Sequence, residues 1–164
     1  MNMSQACEVH RDTGYSNACH VCGVPSDAGY FDVASIKDAP LTGAEVEVAR
    51  YELNPQYCGT MLYFTQYAEE AGTKRQVLSI TPGYQWLILC NNQPRAPYLP
   101  TSLILNPWGY NALPIHLRLE EGCTLRFVVR RTAQAGAIEL SQVGGRLLGR
   151  TWYNTIYGGI PNRL

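Results

Sequence analysis

The chain reads as an all-β protein, a jelly-roll-like β-sandwich, on three observations. Short apolar or alternating runs recur about every ten residues. Gly, Pro and Asn separate them. No segment holds a 3.6-residue apolar period over ten residues or more. Together these predict about seven to nine strands folded into two packed sheets.

Ahead of the strands stands a small head, residues 1–24. Cys7, His10, Cys19 and Cys22 form the pattern Cys-x2-His-x8-Cys-x2-Cys, with Gly23 directly after it. Two ligand pairs of this spacing turn four side chains onto one tetrahedral ion, the arrangement of a structural zinc site. Gly23 suits the tight knuckle, where backbone N–H groups point back at the thiolates and a Cβ would be in the way. His20 in place of Cys19 is the alternative ligand, and a Cys19–Cys22 disulfide the alternative chemistry. With all four positions filled by protein, the expected zinc is structural, and it supplies the folding energy that so short a segment lacks. The head contains one Arg and no Lys, which argues against phosphate binding.

Residues 25–43 carry Pro25, Gly29, Pro40 and Gly43 without a clean period, and are expected to be a linker or an arm laid over the body. The body is expected to span 44–164. Glu45-Val46-Glu47-Val48 alternates like a half-buried strand. Met61 to Phe64, Trp86 to Cys90 and Ser102 to Leu105 are continuous apolar runs, as in strands buried on both faces. From Ile115 to Arg131, Ile115, Leu117 and Leu119, then Leu125, Phe127 and Val129, alternate with mostly polar residues around a Glu121-Gly122 turn. That pattern fits a hairpin with one apolar face, or two strands meeting across a sandwich. Ile138 and Leu140 start another strand, Gly144-Gly145 are expected to turn, and Arg146 to Tyr153 run toward the C-terminus. From about residue 152 the chain is apolar and aromatic but interrupted by Gly158-Gly159 and Pro161, and is expected to be a last strand with a cap, or an arm docked on a neighbouring subunit.

Composition narrows the function. Of 164 residues, 46% are apolar and 16% charged, below the usual ~25%, which hints at extensive subunit contact. Net charge is zero, so no basic footprint for nucleic acid exists. Residues 1–99 hold 6 Lys/Arg against 10 Asp/Glu, and residues 100–164 hold 7 Arg against 3 Glu, an asymmetry suited to subunit docking. No signal peptide or membrane-spanning run is read, so the six cysteines point to a reducing compartment, with Cys58, Cys90 and Cys123 as small buried apolar residues.

No enzyme class finds its residues. A cupin-type metal centre needs several inward His with a carboxylate, and the body has only His116, which by alternation faces away from Ile115 and Leu117. There is no Gly-x-Ser-x-Gly and no phosphate-cradling Gly-x-x-x-x-Gly-Lys. Eleven Tyr and three Trp leave a carbohydrate-stacking surface as the second functional class, beside core and interface packing.

The stretch Leu113-Pro114-Ile115 through Gly122 and Leu125-Arg-Phe127-Val-Val129, followed by Ile138-Glu-Leu140 and Gly144-Gly-Arg146, resembles the small β-sandwich accessory virion proteins of tailed bacteriophages. The resemblance covers roughly a quarter of the chain and is one of pattern. It implies a non-enzymatic head-decoration, cement or neck protein, made in the host cytoplasm and carried in the virion. Its expected partners are other virion proteins and further copies of itself, with neither nucleic acid nor membrane. The zinc head is not part of the resemblance.

Overall fold

The computed structural model describes residues 28–77, 81–94 and 113–153, and the side chains of all of these except 113–116. Among the described residues there are eight strands and no helix: β1 (Gly29–Asp38), β2 (Glu45–Glu52), β3 (Tyr57–Glu70), β4 (Tyr84–Cys90), β5 (Gln93–Pro94), β6 (Leu113–Leu119), β7 (Thr124–Arg131) and β8 (Leu140–Tyr153). They form two antiparallel sheets of four, ordered β1-β8-β3-β6 and β2-β7-β4-β5. The all-β sandwich expected from the sequence is what the chain adopts.

The pairing has a simple origin. β4 turns into β5 through Asn91-Asn92, both at positive φ (51° and 63°), the conformation a two-residue hairpin demands and Asn tolerates. From that tip the chain runs back along itself: β3 pairs β6, β2 pairs β7 and β1 pairs β8. One long ribbon is thus rolled up, and the roll is closed by β8 against β3 and β7 against β4.

Alternation decides which side chains fill the roll. Leu125, Phe127 and Val129 of β7 and Tyr84, Trp86, Ile88 and Cys90 of β4 point inward, and all join the core. Met61, Phe64 and Ala68 of β3 and Val143 and Leu147 of β8 meet them from the other sheet. Phe64 and Phe127 pack edge to face across the gap at 5.6 Å, and Phe31 stacks on Tyr51 at 4.1 Å. In β2 the register slips between Glu47 and Ala49, so that neighbouring Val48 and Ala49 are both buried.

Of the two arrangements expected for the alternating pair, the chain adopts the second: β6 and β7 lie in different sheets and meet across the sandwich. Other expectations from the sequence are corrected here. Residues 25–43 contain β1, paired with β8 along its whole length. Gly144 and Gly145 lie inside β8 and make no turn; a Cβ at Gly145 would stand 2.5 Å from the Phe127 ring, so the glycine serves close packing. The run Met61 to Phe64 is buried on one side only, because Tyr63 is 40% exposed. Trp86 to Cys90 is buried on both, with Leu87 and Leu89 joined by Val128 in a small cluster outside the main core.

Candidate interaction surface

The two sheets differ on their outward sides. On the β2-β7-β4-β5 sheet, Leu87, Leu89 and Val128 are buried. Ion pairs link β2 and β7 beside them: Glu45 with Arg130 at 2.9 Å, and Glu47 with Arg126 at 2.5 Å. Among the described residues no strand packs on the outward side of the β1-β8-β3-β6 sheet, where Tyr30, Asp32, Ala34, Ile36, Tyr63 and Arg146 are exposed and leave that side open. Register places Tyr30 beside Arg150, and Arg150 beside Thr60, in one row. It places Ile36, Gly144 and Tyr67 in another. Tyr30 is 67% and Ile36 56% exposed. Gly144 carries no side chain, which lets Ile36 and Tyr67 close over it into an apolar strip. The Arg150 guanidinium lies over the Tyr30 ring at 4.8 Å and donates to the Ala28 carbonyl at 2.7 Å.

Two carboxylates on this side, Asp32 and Glu69, have partners within the chain. Arg146 reaches diagonally from β8 to Asp32 of β1, with Nε donating to Oδ1 at 2.7 Å. That hydrogen bond holds the Asp32 carboxyl below its usual range. Its contribution is therefore present above the ordinary carboxyl pKa and fades as pH falls through the lowered one. Glu69 is lowered chiefly by the Ser141 hydroxyl, which donates at 2.7 Å, and Tyr67 donates to the same carboxylate at 3.2 Å. The acidic and basic halves of the sequence find an internal use as well. The rolled ribbon lays β1 on β8 and β2 on β7, so Asp32–Arg146, Glu45–Arg130 and Glu47–Arg126 each join one half to the other.

The expected zinc ligands Cys7, His10, Cys19 and Cys22 lie outside the described residues. Among the described residues no group of three or more metal-ligating side chains occurs. Of the C-terminal stretch, Trp152 and Tyr153 finish β8, where Tyr153 packs edge to face on Tyr57, and 154–164 lie outside the described residues. His116 belongs to β6, with its side chain outside the described ones.

Cysteine use departs from expectation at one pair. Cys58 is a free, half-buried thiol whose pKa is raised first of all by burial. Cys90 and Cys123 are buried as the sequence suggested, but they form a disulfide with Cα atoms 6.3 Å apart. They are 33 residues apart in sequence, and only the pairing of β4 with β7 brings them together. Closing a loop of that length is worth about 3–4 kcal/mol in the chain-entropy picture. Adding reductant to the native protein is therefore expected to lower its urea midpoint to that of the Cys90→Ala/Cys123→Ala double variant. An unmoved midpoint would show that the two sulfurs are not joined in solution.

No protein-family model, no curated protein and no solved structure matches the chain.

Proposed function

We propose that this chain is a non-enzymatic structural protein of a tailed-phage particle, a homo-oligomer that stabilises or decorates the capsid or neck through its surfaces and terminal arms. The observation that carries the reading is the pairing of β1 with β8, β2 with β7, β3 with β6 and β4 with β5. That is the wiring of a jelly roll, an architecture found in viral capsid and lectin domains and in cupins. A cupin centre needs room and ligands between the sheets. Here that space holds Trp86, Tyr84, Phe127 and Met61, all fully buried. The open Tyr- and Arg-bearing sheet suits contact between macromolecules, since those residue types anchor interfaces. The Cys90–Cys123 disulfide suits a particle that leaves the reducing cytoplasm.

In this reading Cys7, His10, Cys19 and Cys22 hold one structural zinc, since three thiolates and an imidazole are a closed tetrahedral donor set. Elemental analysis is expected to give a zinc-to-chain ratio near one, and Cys22→Ser to abolish it while the sandwich still melts cooperatively. A metal-free native protein removes the zinc from the account.

A carbohydrate-binding module is the second reading, favoured by exposed Tyr30, Tyr57, Tyr63 and Tyr153. Against it, Arg150 lies over one face of the Tyr30 ring, and Tyr57 and Tyr153 pack edge to face on each other, which occupies ring surface a sugar would stack on. The deciding experiment offers purified chain to particle shells stripped of it, with a glycan array in parallel. Saturable binding to shells, lost on deletion of residues 155–164, is expected. Glycan binding without shell binding would establish the second reading instead.

A further inference from the structure

β1 is an edge strand. It stands at the end of the β1-β8-β3-β6 order, and among the described residues no strand lies beyond it. It is ten residues long and pairs with β8 without a bulge. Proteins usually blunt such an edge with bulges, prolines or central lysines. β1 has no proline, and its one lysine, Lys37, is next to its last residue.

The direction of its free hydrogen-bonding groups follows from the ladder. Ala39 N–H donates to the Ser141 carbonyl at 3.0 Å, in register with the β1·β8 pairs. Odd-numbered residues of β1 therefore aim their N–H and C=O groups at β8, and Tyr30, Asp32, Ala34 and Ile36 aim theirs outward. The same even-numbered residues carry their side chains on the open side of the sheet.

We infer that β1 pairs antiparallel with β1 of a second copy of this chain, across a two-fold axis at Val33. Only registers that match even residues with even residues keep the two open sides continuous, which leaves few choices. Centring on Asp32 sets two carboxylates directly opposite each other. Centring on Ser35 sets Asp32 against Asp38. Centring on Ala34 sets Asp38 against Tyr30 and Asp32 against Ile36. Centring on Val33 sets Tyr30 against Ile36 and Asp32 against Ala34, with no like charges opposed. Tyr30 and Ile36 are the two large exposed apolar side chains of the strand, at 67% and 56%. Asp32, the charge nearest the axis, is already neutralised by Arg146 of its own chain. The pairing joins two four-stranded sheets into one of eight, with a continuous open side. It goes beyond attachment to a particle and does not depend on it.

The test uses the full chain in solution, by light scattering during gel filtration. The native protein is expected to run as a dimer or a multiple of one. Ala34→Pro removes one outward N–H and leaves the β8 ladder intact, and is expected to halve the mass. Val33→Cys places two sulfurs at the axis in a non-hydrogen-bonded pair, where Cα atoms approach to about 4.5 Å. Mild oxidation of that variant is expected to yield a peptide joined through position 33 of both copies, and Ala34→Cys is expected to yield none. The cross-link decides the matter if the proline variant fails to fold. A monomeric native protein, an assembly that Ala34→Pro leaves whole, or the absence of the position-33 cross-link overturns the inference.

Discussion

Phe127→Ala is expected to lower the unfolding free energy by about 3–5 kcal/mol, the range for deleting a buried Phe. Phe127 is fully buried and packs edge to face on Phe64. Beneath it lies Gly145, where a Cβ would come within 2.5 Å of the ring and 2.8 Å of a Val48 methyl. A glycine has no side chain with which to fill the vacated space, so the cavity persists and the cost sits high in the range. Arg126→Ala, one residue away, is expected to cost about 1 kcal/mol or less. Its side chain points outward to Glu47 and Asn92 and keeps partial contact with water. Urea melts of both variants check this, and equal losses would mean that the inward register of β7 is wrong.

Gly149→Ala is the second large effect, and its mechanism is the reverse. Gly149 lies in β8 between Phe31 of β1 and Met61 of β3. A Cβ there would overlap both the Phe31 ring and the Thr60 carbonyl oxygen. The ring can swing, but the carbonyl belongs to the neighbouring strand and moves only if β3 and β8 separate. Overpacking costs typically 1–3 kcal/mol, and with backbone as the obstacle about 3 kcal/mol or more is expected. Gly72→Ala is the control: nothing lies within 4 Å of its added Cβ, so a change within about 0.5 kcal/mol is expected. Thermal melts that place the two variants together would contradict the packing described for β8.

The pair Gly144-Gly145 is one place where the sequence leaves two structures open. Alternation along Leu117, Leu119, Leu125, Phe127 and Val129 was legible because the positions between them within each strand are polar except for Val128, and all five residues are in the core. The Glu121-Gly122 turn was legible too, with Gly122 at φ 62°. A Gly-Gly pair is ambiguous by nature. A turn and a close approach both select for a missing Cβ, and only the tertiary neighbour, Phe127, separates them. β1 was hidden for a related reason. Its inward residues Phe31, Val33 and Ser35 and its outward residues Tyr30, Ala34 and Ile36 mix polarity on both sides, so no period of two stands out. The open sheet was beyond reach for a different reason: the strands that build it, in the order β1-β8-β3-β6, are distant in sequence. The disulfide depended on two strands becoming neighbours, which no spacing rule contains. Of the candidate site, the ligand pattern of Cys7, His10, Cys19 and Cys22 was explicit, while the exposed rows through Tyr30 and Ile36 needed the register of β1 on β8.

The proposal that the chain is a building part of a virus particle is tested most directly by quantitative mass spectrometry of purified tailed-phage particles that carry its gene. The expected result is the intact chain at a fixed copy number per particle, one that matches the symmetry of a shell or neck and survives repeated gradient purification. Particles free of the chain, with the protein left behind in the soluble lysate, would contradict the claim.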